Sequence, residues 1–374
     1  MNHSCIQRVN RLLRDGRRRL RSGRKALAGL RLVTGSPAAD ADCLASSIGY
    51  ALLQSLDAPA GTFVLPWVPI PRAELALRPE VLLLARRAGL AVRCLACAED
   101  FAPERLESGG GREPELILVD SDGAWLPADA RRRIVEVLDH HPGARRPAEA
   151  PGARWTVEAV GSACTLVTER LLARDPGLLD AGLALLLLGP ILLDTVLFAS
   201  AVERTTPRDR QAAARLAAVA GVGEAELYVE LLSARQELPG LGSPELLRRD
   251  YKGGEAGGLR YGISSSPVSL RRWRDRDPAP EQAAIRFREE RGLDLLLVMI
   301  AYEEPGAGGF RRELGVSAGR HTGILTDFLR QEGLRLRELS AAGAAVRWFS
   351  QEAVEISRKK LEPRLRAWLE GPRG

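Results

Sequence analysis

Residues 30–53 read LRLVTGSPAADADCLASSIGYALL. Positions 30–34 form a short apolar strand, Gly35-Ser36-Pro37 a turn, and a helix follows through Leu53. The alternation continues downstream, with strands expected at 62–66, 91–94, 116–119 and 134–138 and helices at 81–88 and 127–133. Strand and helix taking turns in this way predict an α/β fold, a parallel sheet covered by helices on both faces.

Upstream, residues 1–28 carry Arg8, Arg11, Arg14, Arg17, Arg18, Arg19, Arg21, Arg24 and Lys25, interleaved with Leu12, Leu13 and Leu20. This reads as a basic, partly amphipathic leader helix facing solvent, with an anionic membrane or nucleic acid as the other reading. After Gly161 the pattern turns helical at 162–173, 178–188, 207–220 and 224–232. The third helix has Thr206 as N-cap, Pro207 at its first position and Asp209 at its third, a capping signature rather than a catalytic one. The segment 236–244, QELPGLGSP, reads as a linker. Beyond it, strands at 259–265, 295–301 and 313–317 and helices at 281–291, 323–331 and 362–369 describe a second, smaller α/β domain. The expected domains are therefore 1–28, 29–235 and 245–374, joined through 236–244.

A chain of 374 residues has room for two cores, and 45% hydrophobic with 27% charged residues is ordinary for a globular protein. The longest apolar run, 183–193, is broken by Gly189 and Pro190, so no membrane span is expected. No apolar segment of signal-peptide type opens the chain, and five scattered cysteines suit a reducing compartment, so the expected address is cytoplasmic. Cys94 and Cys97 form a lone CxxC, read as buried strand residues. Net charge is +6, which suits acidic partners. Arginine is so heavily used, against lysine only at 25, 252, 359 and 360, that whole-chain charge says little about any one surface.

In parallel α/β sheets, ligands bind outside the C-terminal ends of the strands. Asp40 and Asp42 follow the first strand, Asp120 ends the strand at 116–119, and Asp139, His140 and His141 end the strand at 134–138; Asp194 closes an apolar helix. Five carboxylates gathered at one edge repel each other unless cations neutralise them, and oxygen with imidazole suits Mg²⁺, Mn²⁺ or a related divalent ion. Two such ions would lower the pKa of a trapped water and stabilise in-line attack on phosphorus, the arrangement of a phosphohydrolase.

The segments 34–46 (TGSPAADADCLAS), 118–120, Asp139-His140-His141-Pro142 and Leu193-Asp194 resemble motifs I to IV of the DHH phosphoesterase superfamily. The likeness is closest to prune exopolyphosphatases and extends to 160–171 (VGSACTLVTERL), to the Thr206–Asp209 helix start and to 357–360 (SRKK), a segment shared with family II inorganic pyrophosphatases. The resemblance implies two metal ions, Mg²⁺ or Mn²⁺. Asp40 and Asp120 would hold one, and Asp42, Asp120, His140 and Asp194 the other, with Asp120 bridging. His141 and Asp120 are the implied catalytic residues, His141 facing the substrate phosphate, and Asp139 would orient His140. Lys252, Arg358 and Lys359 are the implied substrate-binding cations.

Two departures from the pattern stand out. Ser36 stands where pyrophosphatases have histidine and prune proteins asparagine, so one metal is expected to bind loosely or through water, with a tilt toward Mg²⁺. Ser121 and Asp122 stand where prune proteins often carry histidines. The expected activity is exopolyphosphatase action on short polyphosphates. Hydrolysis of cyclic-nucleotide or short-oligonucleotide phosphodiesters is the enzymatic alternative, weakened by an aromatic content of only 5% with which to stack bases; nucleic acid is not expected as a partner. Prune-like proteins are also linked to regulatory partners, among them nucleoside diphosphate kinases, so a weakly catalytic scaffold is the third reading.

Overall fold

The computed structural model describes residues 4–21, 29–101, 114–199, 205–236, 242–303, 309–341 and 343–371. The chain divides into two compact units, Met1–Glu237 and Leu238–Gly374. Unit 1 contains, in order, α1 (Cys5–Arg21), β1 (Leu30–Thr34), α2 (Ala41–Leu56), β2 (Phe63–Val68), α3 (Pro79–Arg87), β3 (Ala96–Cys97), β4 (Glu115–Val119), α4 (Ala128–Arg131), β5 (Ile134–Asp139), β6 (Arg154–Val157), α5 (Ala163–Arg174), α6 (Ala181–Asp194), α7 (Pro207–Ala220) and α8 (Glu224–Gln236). Its six strands pair in the order β3-β2-β1-β4-β5-β6, every pair parallel. The order reverses between β1 and β4. Chain connections leave the sheet in opposite directions there and open a crevice at the C-terminal strand ends.

Both faces of this sheet are buried, as side chains pointing alternately up and down require. Along β4, Ile117 and Val119 join the core under α2, α3, α5 and α6, while Leu116 and Leu118 join the opposite core with Leu126 and Ala130 of the α4 region. In α6 every residue from Leu183 to Leu193 is buried, so its apolar run is that of a central core helix.

The leader helix is not a solvated appendage. Cys5, Val9, Leu13, Gly16 and Leu20 are buried along one stripe of α1. The helix lies so close to the sheet that any side chain at Gly16 would collide with Leu65. Arg17 binds Asp100 at 3.0 Å, and the backbone N–H of Ile6 donates to Asp180 at 2.8 Å. The arginines obscured this stripe: basic residues on three sides of a helix look like solvation until their apolar neighbours are counted at helical spacing.

Other boundaries also differ from expectation. The strand expected at 91–94 is a 3₁₀ turn at Val92–Cys94, and the strand is the two-residue β3 just beyond it, paired with Trp67 and Val68. Ala91 donates its N–H to Asn10 of α1 at 2.6 Å instead of to a neighbouring strand. The helix expected at 178–188 begins at Ala181, where Asp180 caps it by accepting from Leu183 N–H at 2.8 Å, and it continues through Pro190 to Asp194. The edge strand β6 escaped notice, its four residues (RWTV) being too few and too exposed for a clear period.

Unit 2 contains α9 (Ser243–Arg249), β7 (Tyr251–Ala256), β8 (Leu259–Ser266), α10 (Leu270–Arg276), α11 (Pro280–Glu290), β9 (Leu295–Glu303), β10 (Phe310–Ser317), α12 (Thr322–Gln331), β11 (Leu336–Glu338), β12 (Arg347–Gln351) and α13 (Arg358–Glu370). Its sheet runs β11-β12-β10-β9-β8-β7, with only β8 and β9 parallel. Leu295, Leu297 and Met299 face a core with α12 and α13; Leu296, Val298 and Ile300 face one built with α9, α10 and α11. Of the segment 236–244, residues 237–241 lie outside the described residues, and Ser243 and Pro244 already belong to α9.

Candidate metal centre

The turn after β1 is shaped by Gly35, where a Cβ would come within 2.8 Å of the Cys43 Cβ. Ala39 then takes a left-handed conformation (φ 45°), and Asp40 caps α2 by accepting from the Cys43 N–H at 3.0 Å. Two residues on, in the first turn of α2, Asp42 is 3% exposed and points across to the start of α5. Its carboxylate accepts from Ser162 Oγ (2.7 Å), Ala163 N–H (2.7 Å) and Cys164 N–H (3.0 Å). The first amides of a helix are natural donors to an anion. Even so, burial and the nearby charges of Asp120 and Asp194 push its pKa up to about 8, against the opposing influence of His140 and Ser162.

Asp120 leaves β4 with φ 57° while its N–H stays bonded to Leu138 O at 3.0 Å, so the strand edge remains paired as the carboxylate turns into the crevice. Oδ2 accepts from the Cys43 thiol at 2.9 Å and Oδ1 faces His140 Nε2 at 3.1 Å. Asp139, 1% exposed, accepts from the backbone N–H of His140 (2.7 Å) and from the ring Nδ1–H of His141 (2.7 Å). The imidazole it orients is thus that of His141. His140 is oriented instead by Val160, whose carbonyl lies 2.9 Å from its Nδ1. Asp194 ends α6 just before Val196, Leu197 and Phe198, all with left-handed backbone, and its charge acts on Asp42 and Cys164. Left-handed backbone costs a non-glycine residue roughly 1–2 kcal/mol. Five of the six such residues among those described adjoin this cluster, a concentration typical of functional sites.

The donor set fits a divalent cation. A carbonyl can only accept, so the contact with Val160 places a proton on His140 Nδ1, while Nε2 meets Asp120 (3.1 Å) and Asp42 (3.7 Å). An imidazole fixed by a carbonyl at Nδ1 and meeting carboxylates through Nε2 is the arrangement in which a neutral ring can ligate a cation beside them. Two groups have ligand atoms within 4.8 Å of one another: Asp120, Asp139, His140 and His141, and Asp40, Cys43 and Asp120. Asp120 belongs to both, as a bridging ligand must.

Ser36 lies half-buried with its hydroxyl 3.4 Å from Cys43 Sγ. Asp122 turns to the loop backbone, accepting from Ala124 N–H at 3.0 Å. Thr206 and Asp209 form the expected capping box, and Asp209 also receives Gly161 N–H and Thr165 Oγ, tying α7 to α5. In unit 2, Arg358 opens α13 and binds Asp250 at 2.7 Å, fixing the helix start beside β7, which carries Lys252. Lys359 and Lys360 are exposed in the first turn of α13, which holds no acidic residue. Cations there oppose the helix dipole and leave the N-terminus suited to an anion.

Sequence reasoning assigned no role to Cys43, Ser162 or the Val160 carbonyl. The stretch VGSACTLVTERL was noticed, and a serine placed directly before a helix is itself a sign that its hydroxyl is available to a neighbour.

The fold and site together define a two-unit α/β protein with a carboxylate–imidazole cluster at the switch point of a parallel sheet. Residues 229–368 match the DHHA2 domain. The chain is 28% identical over 358 residues to the human Exopolyphosphatase PRUNE1, covering 91% of this chain and 76% of that protein. It is 30% identical over 274 residues to a probable manganese-dependent inorganic pyrophosphatase of an Exiguobacterium species, covering 72% and 81% respectively. The crystal structure of a putative family II inorganic pyrophosphatase from Methanococcus jannaschii shares the fold, with a TM-score of 0.64 at 22% identity over 91% of this chain and 100% of that one. The chain belongs to the prune/DHH phosphoesterase family.

Proposed function

We propose that this chain is a metal-dependent hydrolase of phosphoanhydrides, and specifically an exopolyphosphatase acting on short linear polyphosphates. The similarity to exopolyphosphatases and to manganese-dependent pyrophosphatases supports the general activity. The observation that carries the metal centre is the convergence of possible ligand atoms into two groups, Asp120 with Asp139, His140 and His141, and Asp40 with Cys43 and Asp120, which share Asp120.

In this reading Asp40, Asp42, Asp120, His140 and Asp194 hold two divalent ions, Mg²⁺ or Mn²⁺, with Asp120 shared. Bound ions supply Lewis-acid activation of water and neutralise the phosphate charge. Ser162 and the first amides of α5 keep the Asp42 carboxylate in one orientation, and the Val160 carbonyl keeps His140 in the tautomer that ligates. His141, one-third exposed, is held by Asp139 through Nδ1, so its Nε2 is the atom left to meet a substrate oxygen. In that position the ring could stabilise charge on the leaving phosphate or donate a proton to it.

Lys252 and Lys359 supply cationic charge for the polyphosphate, with Arg358 anchoring their segment through Asp250. Compact ammonium groups suit a substrate whose negative charge repeats along its length.

The test is phosphate release from tripolyphosphate with Mg²⁺ or Mn²⁺. Release by the wild type that disappears in Asp120→Ala supports the proposal; equal release by both would remove the cluster from the chemistry.

A further inference from the structure

Cys43 is the member of the cluster to which the motif pattern assigns nothing. It is 3% exposed, and its thiol meets a carboxylate inside the core. The Sγ–H donates to Asp120 Oδ2 at 2.9 Å, and Sγ lies with one oxygen each of Asp40 and Asp120 inside a 4.8 Å group. Ser36, at the position where the family pattern calls for an imidazole or amide ligand, stands 3.4 Å from the same sulfur.

Two backbone features hold the thiol there. Asp40 binds the Cys43 N–H at 3.0 Å, and the absence of a side chain at Gly35, whose Cβ would come 2.9 Å from Sγ, leaves room for the sulfur. The missing ligand and the extra donor thus share one corner of the site. His140 Nε2 meets the other oxygen of Asp120 at 3.1 Å, so this carboxylate is held from both sides.

We propose that Cys43 Sγ is a ligand of the metal ion held by Asp40 and Asp120, taking the place that Ser36 fills poorly. Resting on the metal-centre reading above, the proposal needs no oxidant: the S–H bond gives way to a sulfur–metal bond and the proton leaves to solvent. A thiolate makes the corner soft, so it selects Zn²⁺ or Co²⁺ over Mg²⁺, the reverse of the tilt expected from Ser36 alone.

The experiment is a Co²⁺ titration of the chelator-stripped full-length chain without oxygen. Visible ligand-field bands report bound Co²⁺, and a near-ultraviolet charge-transfer band reports sulfur on it. The wild type and Cys97→Ser, altered at a buried thiol in β3, should show both signals. Cys43→Ser should bind Co²⁺ without the charge-transfer band, and its preference for Zn²⁺ over Mg²⁺ should fall by about 10-fold or more, since even outer partners of a ligand change metal affinity that much. Ligand-field bands without a charge-transfer band in the wild type, or a charge-transfer band that survives in Cys43→Ser, would overturn the assignment of Cys43 alone. A wild type that binds no Co²⁺ would overturn the metal-centre reading and this inference with it.

Discussion

The two units carry charge in opposite ways. In unit 1 the centre of the cluster is buried: Asp42, Asp120, Asp139 and His140 are all under a tenth exposed and bonded to one another or to fixed backbone atoms. In unit 2 Lys359 and Lys360 are exposed, and Lys252 is half-buried on a strand. A buried cluster has to be organised before any ligand arrives, because carboxylates in low dielectric are tolerated only with donors or cations in place. Exposed lysines need no such support and act through screened, long-range attraction. The first arrangement suits bond-making and the second suits holding substrate, so damage to the two should appear in different kinetic constants.

Asp194→Ala is expected to have the largest effect. Losing one carboxylate of the cluster should lower turnover on the order of 10³-fold, the upper range for removing one stabilising group from an active site, with the circular-dichroism spectrum unchanged. Wild-type turnover would take Asp194 out of the site. Ser162→Ala tests the support rather than the ligands: it removes the 2.7 Å hydrogen bond to Asp42. Metal affinity, measured by equilibrium dialysis, should fall roughly 10- to 100-fold, as for other outer partners of metal ligands; no change would mean that the amides of α5 suffice.

In unit 2 the contrast predicts a different signature. Lys359→Ala should raise KM for tripolyphosphate by about 10-fold with kcat nearly constant, the mark of lost uniform binding, and the difference should shrink as salt is added. A drop in kcat instead would mean that the lysine acts on the transition state.

The remaining effect concerns stability. Without metal, the Asp42 pKa is raised from 3.8 to about 8, so between those values the folded protein holds a proton that the unfolded chain has released. Its contribution is therefore fully present below the unfolded value and is lost as pH rises toward the folded one. Thermal melts in chelator should fall with increasing pH across that window, by at most about 1.4 kcal/mol per pH unit from this group. Saturating Mn²⁺ should flatten the slope by taking the place of the proton. Equal slopes with and without metal would separate Asp42 from metal binding.

The order of β1, α2, β2, β4 and β5 was legible because each strand is a short apolar run set off by turn residues. The meeting of Asp42, Asp120, Asp139, His140 and His141 was legible because parallel sheets gather their loops at one edge. What escaped notice has physical reasons. The burial of α1 was hidden by arginines whose long side chains leave their apolar neighbours free to pack. The strands β7, β11 and β12 of unit 2 went unread because a mixed sheet needs no uniform alternation: YKGGEA and LRE contain few residues of strand type. Within the site, carboxylates and histidines announce themselves by residue type. The Val160 carbonyl cannot, because every residue has one, and Cys43 reads as core until Asp120 is found 2.9 Å from its sulfur.

The account stands on the cluster being a metal centre. Chelator-stripped protein should be dialysed against Mn²⁺ and the bound metal counted by elemental analysis, beside Asp120→Ala. Two ions per chain in the wild type, with loss of binding in the variant that lacks the shared carboxylate, is the predicted result. A wild type that retains no more Mn²⁺ than Asp120→Ala would contradict it.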